Sequence, residues 1–186
     1  MTRLTDTLAA IDAANAADPD ISEGRPAALL YGERMSAEMA RLFPDASECL
    51  RIAARGQHIE RWTSPRASYP EGKEGYLAWR RDLAAFHATR VGQIMADQGY
   101  RAAEVEQVGK MLRKEGIKRD ADVQALEDVI CFTFLRWYFQ PFASARAAES
   151  LLRVVQKTAK KMSAEGRARV LREFDLPEDL AESFRD

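Results

Sequence analysis

Histidine and cysteine are scarce in this 186-residue chain, at two of each, and each scarcity excludes something. Cys49 and Cys131 lie far apart inside apolar patterns, so they read as reduced, buried thiols and exclude a disulfide framework. No stretch approaches the roughly 18 consecutive apolar residues that a bilayer-spanning helix needs. The opening Met1-Thr2-Arg3-Leu4-Thr5-Asp6 lacks an apolar signal core, so the cytoplasm is the expected location. A charge of one sign is missing as well: 28 basic residues face 29 acidic ones, which leaves no global field to favour DNA or an anionic membrane. Any anion site must be local. There is no glycine-rich phosphate loop, nucleophile elbow, C-x-x-C pair or HExxH motif, so none of those ready-made chemistries is available. Nor is there any run of alternating β-branched residues, which removes the signature of a sheet.

What is present is helix. Hydrophobic residues make up 46% and charged residues 31%, the composition of a globular chain able to bury a core. Apolar positions recur at the helical period over 5–17, 26–42, 47–61, 74–98, 102–114, 120–142, 144–162, 163–174 and 178–184. Asp18-Pro19-Asp20 and Pro44-Asp45 break the chain, and Pro26 reads as a first-turn proline. The segment 63–72, with two prolines and a glycine, is the one long internal loop. The expectation is an all-α bundle of roughly seven to nine helices, one domain over 1–186. Its core would span about 26–142, with a helical extension over 143–186.

Both histidines fall on apolar rows. His58 follows Leu50 and Ala54 at four-residue spacing, and His87 sits in the row Trp79, Leu83, His87, Val91 and Met95. Glu127 and Asp128 lie in the most apolar segment, where burial is expensive without a partner or a metal. Helical bundles build metal centres from such side chains on facing helices. Two histidines, His58 and His87, with one or two carboxylates, Asp128 among them, would suit Fe(II), Mn(II) or Zn(II) and leave a position open for water or substrate. In a metal-dependent hydrolase Glu127 or Glu60 would handle the proton, and without the metal a histidine and carboxylate pair still provides general acid/base chemistry. Around the loop, Arg55, Arg61, Arg66 and Arg80 mix with Trp62, Tyr69, Tyr76 and Trp79, a combination suited to gripping a phosphate and stacking a ring.

The order of these segments resembles a known superfamily. Ala53-Ala54-Arg55-Gly56-Gln57-His58-Ile59, Phe86-His87-Ala88 with Gly99-Tyr100, and Leu126-Glu127-Asp128 resemble successive ligand segments of HD-domain metal-dependent phosphohydrolases. In place of that family's His-Asp pair stand Gln57 and His58, and its first histidine falls near Tyr31-Gly32-Glu33, where Glu33 is the available ligand. A closer resemblance is to the domain of unknown function 4202 family. It is carried by Leu30-Tyr31-Gly32-Glu33-Arg34-Met35, the segment 52–62, Tyr69-Pro70, Gly75-Tyr76-Leu77-Ala78-Trp79-Arg80 and Leu126-Glu127-Asp128. That family name implies no activity.

The HD resemblance implies a metal-dependent hydrolase acting on a small phosphorylated or nucleotide-like substrate. The alternative is a non-catalytic helical module that binds a protein or tRNA partner through the arginine-rich loop. The expected partner is a small anionic molecule, with a second copy of the chain as a candidate homodimer and neither DNA nor membrane. The lysine clusters at 110–114 and 157–161 read as solvated helix faces, and RNA binding through them is the minor alternative.

Overall fold

The computed structural model describes residues 2–185. Within them the chain forms two compact units, one ending at Glu115 and the next beginning at Gly116. The fold class is all-α, as the periodicity predicts; the one sheet among the described residues is a two-residue antiparallel hairpin.

The first unit holds α1 (Arg3–Asn15), the hairpin β1 (Ile21–Ser22) and β2 (Arg25–Pro26), α2 (Ala27–Leu42), α3 (Glu48–Gly56), α4 (Gly72–Asp97) and α5 (Ala102–Leu112). Helix α1 begins where Thr2 Oγ1 accepts the Thr5 N–H at 3.2 Å, and α3 where Ser47 Oγ accepts the Leu50 N–H at 3.2 Å. Pro26 lies at the N-cap of α2, immediately before the position expected from sequence. Asp18 ties the hairpin to α2 by accepting the N–H groups of Asp20 at 2.9 Å and Ala28 at 2.8 Å.

Two glycines set the helix spacing. A Cβ on Gly32 would stand 3.0 Å from the Arg55 carbonyl oxygen, and one on Gly56 only 2.5 Å from Val91 Cγ2. Helices α2 and α4 therefore approach α3 more closely than any larger residue would permit.

The second half of α3 departs from expectation. The apolar row predicts helix as far as Arg61, yet α3 ends at Gly56, and Gln57 to Glu60 form a turn closed by Glu60 in the left-handed region at φ 48°. His58 is therefore carried by this turn and not by the helical row of Leu50 and Ala54. Tertiary contacts override the local pattern: the buried Asn15 Oδ1 accepts the Glu60 N–H at 3.0 Å, and Arg90 Nε donates to the Glu60 carboxylate at 2.7 Å. Helix α4 follows its pattern, with Trp79, Leu83, His87, Val91 and Met95 all buried. The loop before it folds back on α4's first turn, where Gly75 has no room for a Cβ beneath the Pro70 carbonyl.

The second unit holds α6 (Ala121–Thr133), a π-helical stretch (Phe134–Tyr138), α7 (Phe139–Ser144), α8 (Ala148–Lys161), α9 (Ala164–Glu173) and α10 (Glu178–Ala181). Asp120 caps α6 by accepting from Asp122 and Val123 N–H, each at 3.1 Å. The helix expected over 120–142 is present, running without a break from Ala121 to Ser144, but it passes through π-helical geometry at Phe134–Tyr138. Pro141 has no N–H to donate and crowds the preceding turn, and the π-helical stretch widens the helix just ahead of it. Val155, Ala159, Met162, Val170, Leu180 and Phe184 fill this unit's core. No helix among the described residues is long and apolar enough to cross a membrane.

Candidate functional site

In the first unit, the turn after α3 brings His58 against α4. The His58 and His87 ring centroids lie 6.0 Å apart at 45°, and Tyr31 of α2 stacks on His58 at 4.0 Å and 17°. Arg61, swung back by the left-handed Glu60, places Nη1 3.3 Å from His58 Nε2. A guanidinium only donates, so this Nε2 is an acceptor and the His58 proton sits on Nδ1. Arg61 also lies over the Trp79 ring, 4.9 Å from its centroid. His58, His87 and Arg61, together with Gln57, Arg80 and Lys114, line a small cleft of about 240 Å³, its open mouth included.

The electrostatics of the cleft are unusual. Burial, followed by the Arg61 charge, holds His58 well below the usual histidine range, with His87, Arg80 and Lys114 adding to the effect. Burial with Arg61 and Arg80 takes His87 down to about 3. Both imidazoles are therefore neutral at pH 7. Burial, and next the charge of Arg80, also makes the Arg61 cation harder to maintain. Among the described residues neither Arg61 nor Arg80 has a carboxylate partner, whereas most arginines of this chain do. His87 Nε2 and Gln57 Oε1 are buried without any hydrogen-bond partner. Each such atom costs about 1–3 kcal/mol. Cations without carboxylate partners thus stand beside unsatisfied polar atoms, an arrangement costly to the fold by itself.

The remaining sequence-derived candidates are engaged elsewhere. Glu33 makes a two-pronged ion pair with Arg25, both contacts at 2.5 Å. Arg25 is also what holds the Glu33 carboxyl below its usual range. Arg55 pairs with Asp12 at 2.5 and 2.6 Å, and Glu60 with Arg90. Arg66 donates to the carbonyls of Tyr69 at 3.0 Å and Pro70 at 2.9 Å, so it ties the loop instead of gripping a ligand. Trp62 is half-buried in the 3-10 turn Arg61–Thr63 and does not line the cleft. In the second unit, Asp128 accepts from Ser163 N–H at 2.8 Å, Ser163 Oγ–H at 2.5 Å and the Gln124 amide at 3.1 Å, while Glu127 lies 3.6 Å from Lys161 Nζ.

Sequence reasoning missed three contributors: Gln57, Lys114 and Tyr31. Gly32 and Gly56, lone glycines inside helical patterns, were the available signal, because a glycine there marks close approach of backbones. The cleft lining offers two imidazoles and no carboxylate to a divalent cation. No group of three or more His, Cys, Asp or Glu side chains stands ready to hold a metal among the described residues, and the two imidazoles face arginines.

Fold and cleft together define an all-helical protein with a cation-lined, two-histidine pocket. The sequence matches the family described as a domain of unknown function (DUF4202) over residues 5–183, and the chain belongs to that family. Neither a curated protein nor a solved structure matches it.

Proposed function

We propose that the first unit's cleft recognises the phosphoryl group of a small phosphorylated molecule. The single observation that carries this reading is the pair Arg61 and Arg80, which have no carboxylate partner beside the unpartnered polar atoms of Gln57 and His87. A phosphate would accept from both guanidinium groups and from a His87 Nε2–H, while Gln57 Oε1, itself an acceptor, would take its hydrogen from a ligand hydroxyl or a water. Its charge would also ease the mutual repulsion of the arginines.

Two neutral imidazoles extend the reading from binding to hydrolysis. A bound phosphate would offset the arginine charges that depress their pKa values, and one imidazole could then take a proton from an attacking water while the arginines carry the charge on the phosphoryl oxygens. A metal-dependent hydrolase of the HD kind would instead draw on His58, His87, Asp128 and Glu33, and Glu33 and Asp128 would first have to leave the partners that now hold them. The cleft therefore supports the anionic-substrate half of that expectation more strongly than its metal half.

Calorimetric titration of the full chain with inorganic phosphate tests the proposal. Saturable binding to wild type that is weakened at least about tenfold in Arg80→Gln supports it, one charge-assisted hydrogen bond being worth about 1.5–3 kcal/mol. No binding to wild type, or equal binding to both, removes it. Metal analysis of protein purified without a histidine tag, compared with His58→Ala and His87→Ala, tests the metal-dependent form: stoichiometric metal lost from both variants would favour it.

A further inference from the structure

An aromatic path leads from the half-buried cations of the cleft to solvent. The Arg61 guanidinium lies over Trp79, and the Trp79 ring centroid stands 6.0 Å from that of Tyr76, at an interplanar angle of 49°. Trp79 is committed inward, 7% exposed, with Nε1 donating to the Ser64 carbonyl at 2.9 Å. Tyr76 is not committed in this way. It is 47% exposed, unusually open for an aromatic side chain of this size.

Helical geometry relates Tyr76 to the arginine. Tyr76 precedes Arg80 by four residues on α4, so the two share a helix face, about 6 Å apart along the axis. Ala84 and His87 continue the same face into the cleft. A single sugar ring spans such an interval. The inner wall is closed by Gln57, Leu83 and His87, all at most 5% exposed, so whatever enters must leave by the same mouth. A terminal phosphate fits that shape; a phosphodiester, whose chain continues on both sides, does not.

Resting on the phosphate reading above, the geometry points to a phosphomonoester that carries a planar ring, with its phosphate between Arg61 and Arg80 and its ring stacked on Tyr76. The arginines would supply the charge and Tyr76 the selectivity. Stacking on an aromatic side chain tolerates many rings, because every flat heterocycle offers a π-face.

The test compares four probes by calorimetry on the full chain: inorganic phosphate, ribose 5-phosphate, adenosine 5′-monophosphate and the dinucleotide adenylyl-adenosine, in which the same phosphate is a diester. Adenosine monophosphate is expected to bind about 5- to 100-fold more tightly than ribose 5-phosphate, the range that base stacking provides, and the diester more weakly than either. In Tyr76→Ala the ratio of the two monoester affinities should fall towards one, and Tyr76→Trp should restore it. Tyr76 is exposed, so neither change threatens folding. Equal affinity for the two monoesters, an unchanged ratio in Tyr76→Ala, or a diester bound as tightly as adenosine monophosphate would overturn the inference even where phosphate itself binds. If no probe binds, the phosphate reading fails, and this inference fails with it.

Discussion

His87 in the first unit and Asp128 in the second are almost equally hidden, at 4% and 5% exposed, yet their surroundings treat them in opposite ways. Around Asp128 every contact is a donor. Ser163 contributes both its N–H and its hydroxyl, Gln124 adds an amide, and Ser163 Oγ in turn accepts the Gly166 N–H at 2.9 Å to cap α9. Around His87 the charges that act on it are those of the cations Arg61 and Arg80, and its Nε2 has no hydrogen-bond partner among the described residues. A buried polar group that is satisfied holds a fold together; one that is left unsatisfied beside uncompensated charge is kept at a cost, and binding is the use that explains the cost.

The largest effect expected from this contrast is in the second unit. Asp128→Ala strands the Ser163 N–H and hydroxyl, leaves the Gln124 amide with only its bond to the Lys161 carbonyl, and removes the anchor of α9's first turn. The expected loss is about 2–5 kcal/mol, since each buried donor left without its acceptor costs about 1–3 kcal/mol. Equilibrium urea unfolding measures it. A loss below about 1 kcal/mol would mean that Asp128 is not a structural anchor, and the contrast with His87 would collapse.

Arg80→Gln should behave in the other way. It is expected to weaken phosphate binding by at least about tenfold, or roughly 1.4 kcal/mol, while leaving stability unchanged or slightly raised, because it removes a like charge beside Arg61. Calorimetry and urea unfolding on the same preparation give both numbers. Lost stability with intact binding would place Arg80 in the scaffold.

These two sites also show what the sequence could and could not reveal. The apolar row of α4 announced the inward position of His87, since all five members of that row are buried. The fold class was legible for the same reason, the period being regular over long segments. His58 was legible as inward but not as a turn residue, because the left-handed Glu60 depends on Asn15 and Arg90, which lie far away along the chain. Asp128 read as a candidate ligand because a buried carboxylate demands a partner, and its partner Ser163, 35 residues on, is invisible to periodicity. Arg55, Arg61, Arg66 and Arg80 looked alike in the sequence. Only tertiary pairing separates the tied ones, Arg55 and Arg66, from the pair that lines the cleft.

Acid sharpens the comparison further. A histidine in the unfolded chain takes up a proton near pH 6.5, whereas His58 and His87 are held below that in the folded protein. Below about pH 6.5 the unfolded state therefore binds more protons, and stability falls as pH falls, by up to about 1.4 kcal/mol per pH unit for each histidine. For His87 this window extends down to about 3. Asp128 acts with the opposite sign: burial raises its folded carboxyl above the unfolded value, so protonation through that window favours the folded state. Urea midpoints at pH 7.5, 6.5 and 5.5 should fall together in wild type, and less steeply in His87→Leu. Sulfate, which does not titrate in this range, should reduce the slope by supplying the anion that lets the imidazoles charge.

The smallest effect is the most discriminating one. His87→Leu replaces a buried, unpartnered ring nitrogen with a side chain of similar bulk in an otherwise apolar row, between Leu83 and Val91 on α4. Removing the unsatisfied group recovers part of the about 1–3 kcal/mol that it costs, so the variant should be more stable than wild type by about 1 kcal/mol at pH 7. The same change should weaken phosphate binding. A gain in stability together with a loss of binding is what a functional site built at the expense of the fold predicts. A loss of stability would show instead that His87 belongs, like Asp128, to the scaffold.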